Sequence, residues 1–206
     1  MVCPILGKAR IVGAIVVADK EGDQEFFSHD TKLLMAITSQ AGLAIENAFL
    51  YTELEVLLVG AIKSLVKALE ATSYWTAGHT ERVTEYAISI GKLLDLDGDT
   101  LEKLKICSLL HDIGKIATPK EILNKSEGLS ESEWIEMKKH PGVGAEILGE
   151  MKQFNDVILG IKYHHEHWDG RKSVFGLKEE EIPLLARILS VADTFDALTS
   201  DRPYRP

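Results

Sequence analysis

Between Asp30 and about Ala71 the chain contains no proline, and its apolar residues recur at helical spacing. Ile37, Ala44, Tyr51, Leu58 and Leu65 return every seventh residue. Leu33, Gln40, Asn47, Leu54, Ala61 and Ala68 form a second seam three or four residues away. This is the a/d pattern of a coiled coil sustained over about five heptads. Gln40 and Asn47 weaken the seam, although buried polar residues can set register there. A parallel dimer stalk is the favoured reading; a long helix lying on its own domain is the alternative.

The flanking sequence differs in kind. Residues 2–6 and 11–18 are short β-branched runs separated by Gly7-Lys8-Ala9-Arg10, which predicts an antiparallel hairpin. Ser28 is the expected N-cap of the long helix, with Asp30 in its first turn. Residues 76–206 read as nearly all helix, over 81–94, 100–110, 130–139, 143–151, 155–167 and 182–199, divided by Pro119, Pro141 and glycine-bearing breaks. Trp168 to Glu181 is a long polar loop, a length that is often functional inside a compact domain. The run Glu179-Glu180-Glu181 reads as a solvated turn before Pro183.

A net charge of −9 leaves no basic face for a nucleic-acid polymer. A small phosphate-bearing substrate stays open, because metals can supply positive charge locally. Two cysteines without a CxxC motif, Cys3 and Cys107, argue against a disulfide framework and point to a cytoplasmic, reducing compartment. No apolar run reaches the ~18 residues of a membrane span.

Chemistry is expected around Leu109-Leu110-His111-Asp112-Ile113-Gly114-Lys115. Adjacent helical positions point about 100° apart, so His111 and Asp112 reach one cation only near a helix end, where Gly114 interrupts the helix. A His-Asp pair alone is a weak signal, since a capping Asp beside a core His is common. Its weight comes from His79 before it and from His140, His164, His165 and Asp193 after it. His140 is expected to end a helix before Pro141, and His164 and His165 to lie within the next long one. Such wide spacing is unlike a zinc finger and suits facing helices that each donate one or two side chains. Imidazole and carboxylate without thiolate favour iron or manganese. Six or seven ligands are too many for one ion and suit two, with Asp112 as the bridge. Ions about 3.5–4 Å apart can clamp the attacking and leaving oxygens of phosphoryl transfer.

These segments resemble the HD-GYP domains of bacterial signalling, a branch of the HD phosphohydrolase superfamily. The likeness covers roughly residues 60–206. It rests on Thr76-Ala77-Gly78-His79-Thr80-Glu81-Arg82-Val83, on Leu110-His111-Asp112-Ile113-Gly114-Lys115-Ile116 and on Met137-Lys138-Lys139-His140-Pro141. It continues through His164-His165-Glu166, Ala186-Arg187-Ile188 and the run from Val191-Ala192-Asp193 to Arg202-Pro203-Tyr204. The resemblance implies an all-α HD-type bundle that hydrolyses cyclic di-GMP, to pGpG alone or onward to GMP, at a two- or three-metal site. It implies His79, His111, Asp112 and Asp193 around one metal, and His140, His164 and His165 with bridging Asp112 around the other. Lys115 would face the scissile phosphate, the alternative being a charge at a helix C-terminus, and Arg202 and Tyr204 would hold phosphate or base.

Two departures stand out. The Gly-Tyr-Pro positions of the family loop hold Lys172, Ser173 and Val174, ahead of Phe175-Gly176-Leu177. This puts loop shape, substrate grip and partner contacts in question. Three-metal members tend to carry a Glu four residues before the first His; Trp75 stands here, so two metals are expected. Residues 1–54, through Cys3-Pro4-Ile5, Ile11-Val12-Gly13-Ala14-Ile15 and Gln40-Ala41-Gly42-Leu43-Ala44-Ile45-Glu46-Asn47, look like the closing half of a GAF sensory domain. The resulting expectation is mainly α: a partial α+β segment over 1–54, a helical stalk over 55–75, and a phosphohydrolase domain over 76–206 lacking its last helices. The expected partners are a second copy through the stalk and proteins of the signalling pathway. The rivals are a phosphohydrolase of another cyclic dinucleotide or nucleotide, and a catalytically silent binding module. Glu166 and Asp169 are expected to fix the loop or orient ligands, His29 and His167 to lie at the surface, and Trp75, Trp134 and Trp168 to pack, with Trp168 alone lining a pocket.

Overall fold

The computed structural model describes the chain except residues 9, 23, 72–77, 152–153, 172 and 201–206. It divides into two compact units, Met1–Val59 and Gly60–Pro206. Trp75, Lys172, Arg202 and Tyr204, and the expectations attached to them, lie outside the described residues.

In the first unit β1 (Val2–Leu6) pairs antiparallel with β2 (Ile11–Val16), in the register Val2 to Val16 and Ile5 to Gly13, with an irregularity between Ile5 and Leu6. Helix α1 runs unbroken over Ser28–Glu70. Ser28 is its first helical residue rather than its cap. The N-terminal amide of Phe27 is satisfied instead by Asp30 Oδ2 at 2.8 Å, where the carboxylate also complements the helix dipole. The hairpin seats on α1 at Gly42: a Cβ there would stand 2.2 Å from the Leu6 carbonyl oxygen, so only glycine permits the approach. Nearby, buried Cys3 Sγ lies 3.4 Å from Thr38 Oγ1. Both seams of the heptad pattern are exposed, whereas Leu34, Thr38, Ile62 and Val66 on other faces are buried.

The second unit is helical. α2 (His79–Leu93), α3 (Gly98–Leu110), α7 (Asn155–Tyr163) and α8 (Leu184–Thr199) pack on one another. Their core holds Val83, Ala87, Leu104, Cys107, Val157, Ile161, Ala186, Leu189 and Ala192. Asp97 caps α3 by accepting from Thr100 N at 2.7 Å. A 3-10 helix (Ile113–Ala117) and the short α4 (Lys120–Leu123) fill a stretch where the sequence signalled no element. Ser130 and Glu133 form a capping box on α5 (Glu131–Met137).

α6 (His140–Leu148) corrects an expectation. His140 starts this helix instead of ending the one before, and Pro141 sits in its first turn, where a missing N–H costs nothing. The 3-10 helix lies against α6 so closely that a Cβ on Gly114 would be 1.9 Å from the His140 carbonyl oxygen. Gly114 thus serves close packing; the interruption comes earlier, at the end of α3. His164 and His165 also lie beyond their helix, since α7 stops at Tyr163. Within the second unit the last residue of α1 meets the first turn of α2: Thr80 N donates to Glu70 Oε1 at 3.2 Å, and Lys67 Nζ stands 3.8 Å from Glu81.

Candidate metal centre

Helix ends deliver the candidate ligands. His79 opens α2 just after Gly78, whose φ of 70° turns the chain sharply into the helix. His111 and Asp112 occupy the junction between α3 and the 3-10 helix. His140 opens α6, His164 and His165 follow α7, and Asp193 faces them from within α8. Residues that leave a helix are free of its strict angular spacing, which is how neighbours such as His164 and His165 can point into one pocket.

The side chains form two groups. Donor atoms of His79, His111 and Asp193 lie within 4.8 Å of one another, as do those of His140, His164 and His165. Asp112 stands between them. Its Oδ2 is 3.4 Å from His111 Nε2 and 3.9 Å from His79 Nε2, while its Oδ1 is 3.4 Å from His140 Nε2. One carboxylate therefore turns one oxygen to each group.

The imidazoles are prepared as ligands. His111, His140 and His164 each donate Nδ1–H to the carbonyl three residues back, of Ser108, Met137 and Ile161, at 2.6 to 2.7 Å. This leaves the Nε2 lone pair of each pointing into the pocket, and those three buried atoms find no hydrogen-bond partner among the described residues. A buried polar atom without a partner is costly in an ordinary core. A cation in each group would satisfy all three, so the donor set fits divalent ions. Burial pushes His140 down to about 4 and His164 and His165 down to about 3, which keeps their lone pairs available. Burial opposes charge on Asp112 as well, yet Lys115 and the surrounding imidazoles hold it well below the usual carboxylate range.

His79 is held differently. Its Nδ1 donates to Asp196 Oδ2 at 2.7 Å, and its Nε2 is 3.4 Å from Asp193 Oδ1. Burial works against the imidazolium, but these carboxylates outweigh it and raise the His79 pKa. Asp196 is buried and also receives Arg82 Nε at 2.6 Å and Ser200 Oγ at 3.0 Å. Asp196 and Arg82 were missed as site residues. The available signal was an acidic residue on the same face of α8 as Asp193, one turn later.

Lys115 Nζ sits 2.6 Å from Asp112 Oδ2, so its ammonium lies at the edge of the bridge. Glu166, nearly fully buried, organises the loop. Its carboxylate accepts from the amides of Val174, Phe175 and Leu177 at 2.6, 3.0 and 2.9 Å, and from Ser173 Oγ. Ser173 Oγ in turn accepts from Gly176 N at 2.7 Å. Residues 173–177 are thus held to Glu166 by their own amides and by the Ser173 hydroxyl. Asp169 is exposed and fixes only a local turn, through Arg171 N at 2.9 Å. His29 is exposed beside Asp30.

Two tryptophans depart from the expected packing role. Trp168 is 55% exposed, with the Arg187 guanidinium over its ring at 5.6 Å. Trp134 is not a packing residue: it is 52% exposed and lines a cavity of about 550 Å³ with Met137, Lys138, His140, His165, His167 and Val174.

Residues 63–206 match the family described as HD domain. The chain is 37% identical over 185 residues to 3'3'-cGAMP-specific phosphodiesterase 2 of Vibrio cholerae, a match covering 89% of this chain and 35% of that protein. It is 38% identical over 146 residues to cyclic di-GMP phosphodiesterase PA4108 of Pseudomonas aeruginosa, covering 70% and 35%. Among solved structures, Bd1817, an HDG"Y"P protein from Bdellovibrio bacteriovorus, superposes with a TM-score of 0.54 at 29% identity, over 62% of this chain and 42% of that one. The chain spans about a third of the length of the two curated relatives.

Proposed function

Because this chain belongs to the HD domain family, we propose that it is a metal-dependent phosphodiesterase of the HD-GYP branch that opens cyclic di-GMP to pGpG, with GMP as the alternative end product. The observation that carries this reading is the pair of donor groups flanking Asp112, with three buried Nε2 atoms aimed between them. His79, His111 and Asp193 would hold one ion and His140, His164 and His165 the other, with Asp112 shared. Iron or manganese suits a set of imidazoles and carboxylates without thiolate. Bound ions supply Lewis acidity and a water acidic enough to attack at neutral pH.

The chain's own groups do the rest. Buried imidazoles stay neutral and keep their geometry through backbone hydrogen bonds. Lys115, at the edge of Asp112, is within reach of a phosphate seated over the bridge and would offset charge developing on its oxygens. Arg202 and Tyr204 are assigned to substrate grip from their family positions alone. A second reading, hydrolysis of 3'3'-cGAMP or another cyclic dinucleotide, is favoured by the name of the Vibrio relative and left open by Lys172-Ser173-Val174 standing where the family loop has Gly-Tyr-Pro.

At the amino-terminal side, the hairpin seated on α1 supports a GAF-like reading for residues 1–54. The exposed seams of α1 support a coiled-coil stalk over 55–75 that joins two copies, leaving 76–206 as the catalytic part. The deciding experiment is turnover of cyclic di-GMP and 3'3'-cGAMP by protein loaded anaerobically with Fe(II) or Mn(II), alongside metal analysis. Two ions per chain and formation of pGpG are expected. Tight binding with no turnover would instead make this a silent binding module.

A further inference from the structure

The cavity beside the second donor group has a composition the metal chemistry does not explain. His140 and His165, two members of the second donor group, are among its lining residues, so it borders the candidate ion-binding pocket. Trp134, on α5, lines it too, half exposed although it is the largest apolar side chain there. Val174 is a further lining residue, held by the bond from its amide to Glu166. Lys138, one turn after Trp134, is an exposed lining residue and makes no ion pair among the described residues. At about 550 Å³ the cavity falls within the roughly 300–1,000 Å³ of small-molecule sites.

We propose that this cavity is the base subsite of the substrate: a purine stacks on Trp134, and Lys138 reads guanine. The inference rests on the phosphodiesterase reading and deepens it. A phosphodiester seated at the ions necessarily carries its attached nucleoside to one side, and His140 and His165 border both spaces. An exposed indole offers a flat π face, which every base can use. Discrimination must therefore come from a polar group at the rim. Guanine presents two acceptors, O6 and N7, on one edge, and an ammonium donates to both. Adenine presents an amino donor in place of O6, which faces the same ammonium unfavourably.

The test uses the metal-loaded chain and a non-hydrolysable phosphorothioate analogue of cyclic di-GMP. Stacking should quench the fluorescence of a Trp75→Phe, Trp168→Phe protein, in which Trp134 is the sole indole. In Trp134→Phe calorimetry should still detect binding within a few-fold. Trp134→Ala should weaken binding about tenfold or more, in line with base stacking on an aromatic side chain, with metal content unchanged. Where turnover is measurable, KM should rise and kcat stay within about twofold. Lys138→Gln should weaken the guanine analogue several-fold and leave that of cyclic di-AMP unchanged or tighter. Undiminished affinity in Trp134→Ala, or no quenching where Trp134 is the sole indole, would overturn the subsite. Equal loss of both analogues in Lys138→Gln would overturn the guanine reading. Analogue binding with the expected quenching but no hydrolysis of cyclic di-GMP would leave the subsite standing and refute the catalytic reading.

Discussion

Asp112 has the least replaceable position in the site, because its two oxygens face different imidazole groups. Asp112→Ala should lose both ions, measured by elemental analysis, and reduce turnover by at least about 100-fold. Retention of two ions per chain would refute the bridging role. Asp196 acts at one remove, through His79. Asp196→Asn should weaken metal binding at the His79 group by about 10- to 100-fold, the usual effect of losing a group that orients a ligating imidazole. The His140 group should keep its ion, so titration of the variant should resolve one intact and one weakened site. A uniform loss at both would indicate a folding defect instead. The seven converging side chains were legible because histidine and aspartate are conspicuous in apolar helices. Asp196 was not: an acidic residue near a helix terminus reads as solvated, and its burial depends on Arg82 arriving from a helix far away in sequence. Trp134 was misread for the opposite reason, because an apolar residue in a short helix carries no mark of exposure.

At the scale of elements, the junctions were harder to read than the helices. Pro141 looked like a terminator, and a proline ends one helix or begins another according to which side of it carries the caps. The placement of His164 and His165 depended on where α7 stops, and neither glycine nor proline marks that point. The contact between the 3-10 helix and α6 could not be foreseen, since it depends on backbone meeting backbone at Gly114. Gly114→Ala should therefore be more harmful than a surface glycine change. A Cβ 1.9 Å from the His140 carbonyl oxygen must push the two elements apart, at a cost of about 1–3 kcal/mol or more. A melting temperature lowered by several degrees, with impaired metal retention because Asp112 and His140 separate, is the expected result. A variant as stable as the parent would show that this junction yields easily.

For the molecule as a whole, burial of ligands makes the metal-free protein sensitive to acid. His140 and His164 titrate near 4 and 3 when folded and near 6.5 when unfolded. Between those values the unfolded chain takes up protons that the folded chain refuses, so stability falls as pH drops through about 6.5. Each buried imidazole costs up to roughly 1.4 kcal/mol per pH unit in that window. His79, shifted upward, returns part of this. Thermal melts of chelator-treated protein between pH 7.5 and 5 should show the decline; a flat profile would mean that the pocket opens to solvent once stripped. The exposed seams of α1 raise a second question at this scale. Tyr51, Leu54 and Leu65 are each more than 60% exposed, an arrangement that a second copy would cover. On the stalk reading the parent should sediment as a dimer, and Leu54→Glu with Leu65→Glu as a monomer.

The bond between Glu70 and Thr80 has a consequence for communication along the chain. It ties the final residue of a 43-residue helix to the residue next to His79. Within the second unit, a shift of the last turns of α1 would be passed first to the residue beside His79. On the two-ion reading such a shift should alter binding at the His79 group before the His140 group. Glu70→Ala should remove that difference while metal titration still finds binding at both groups.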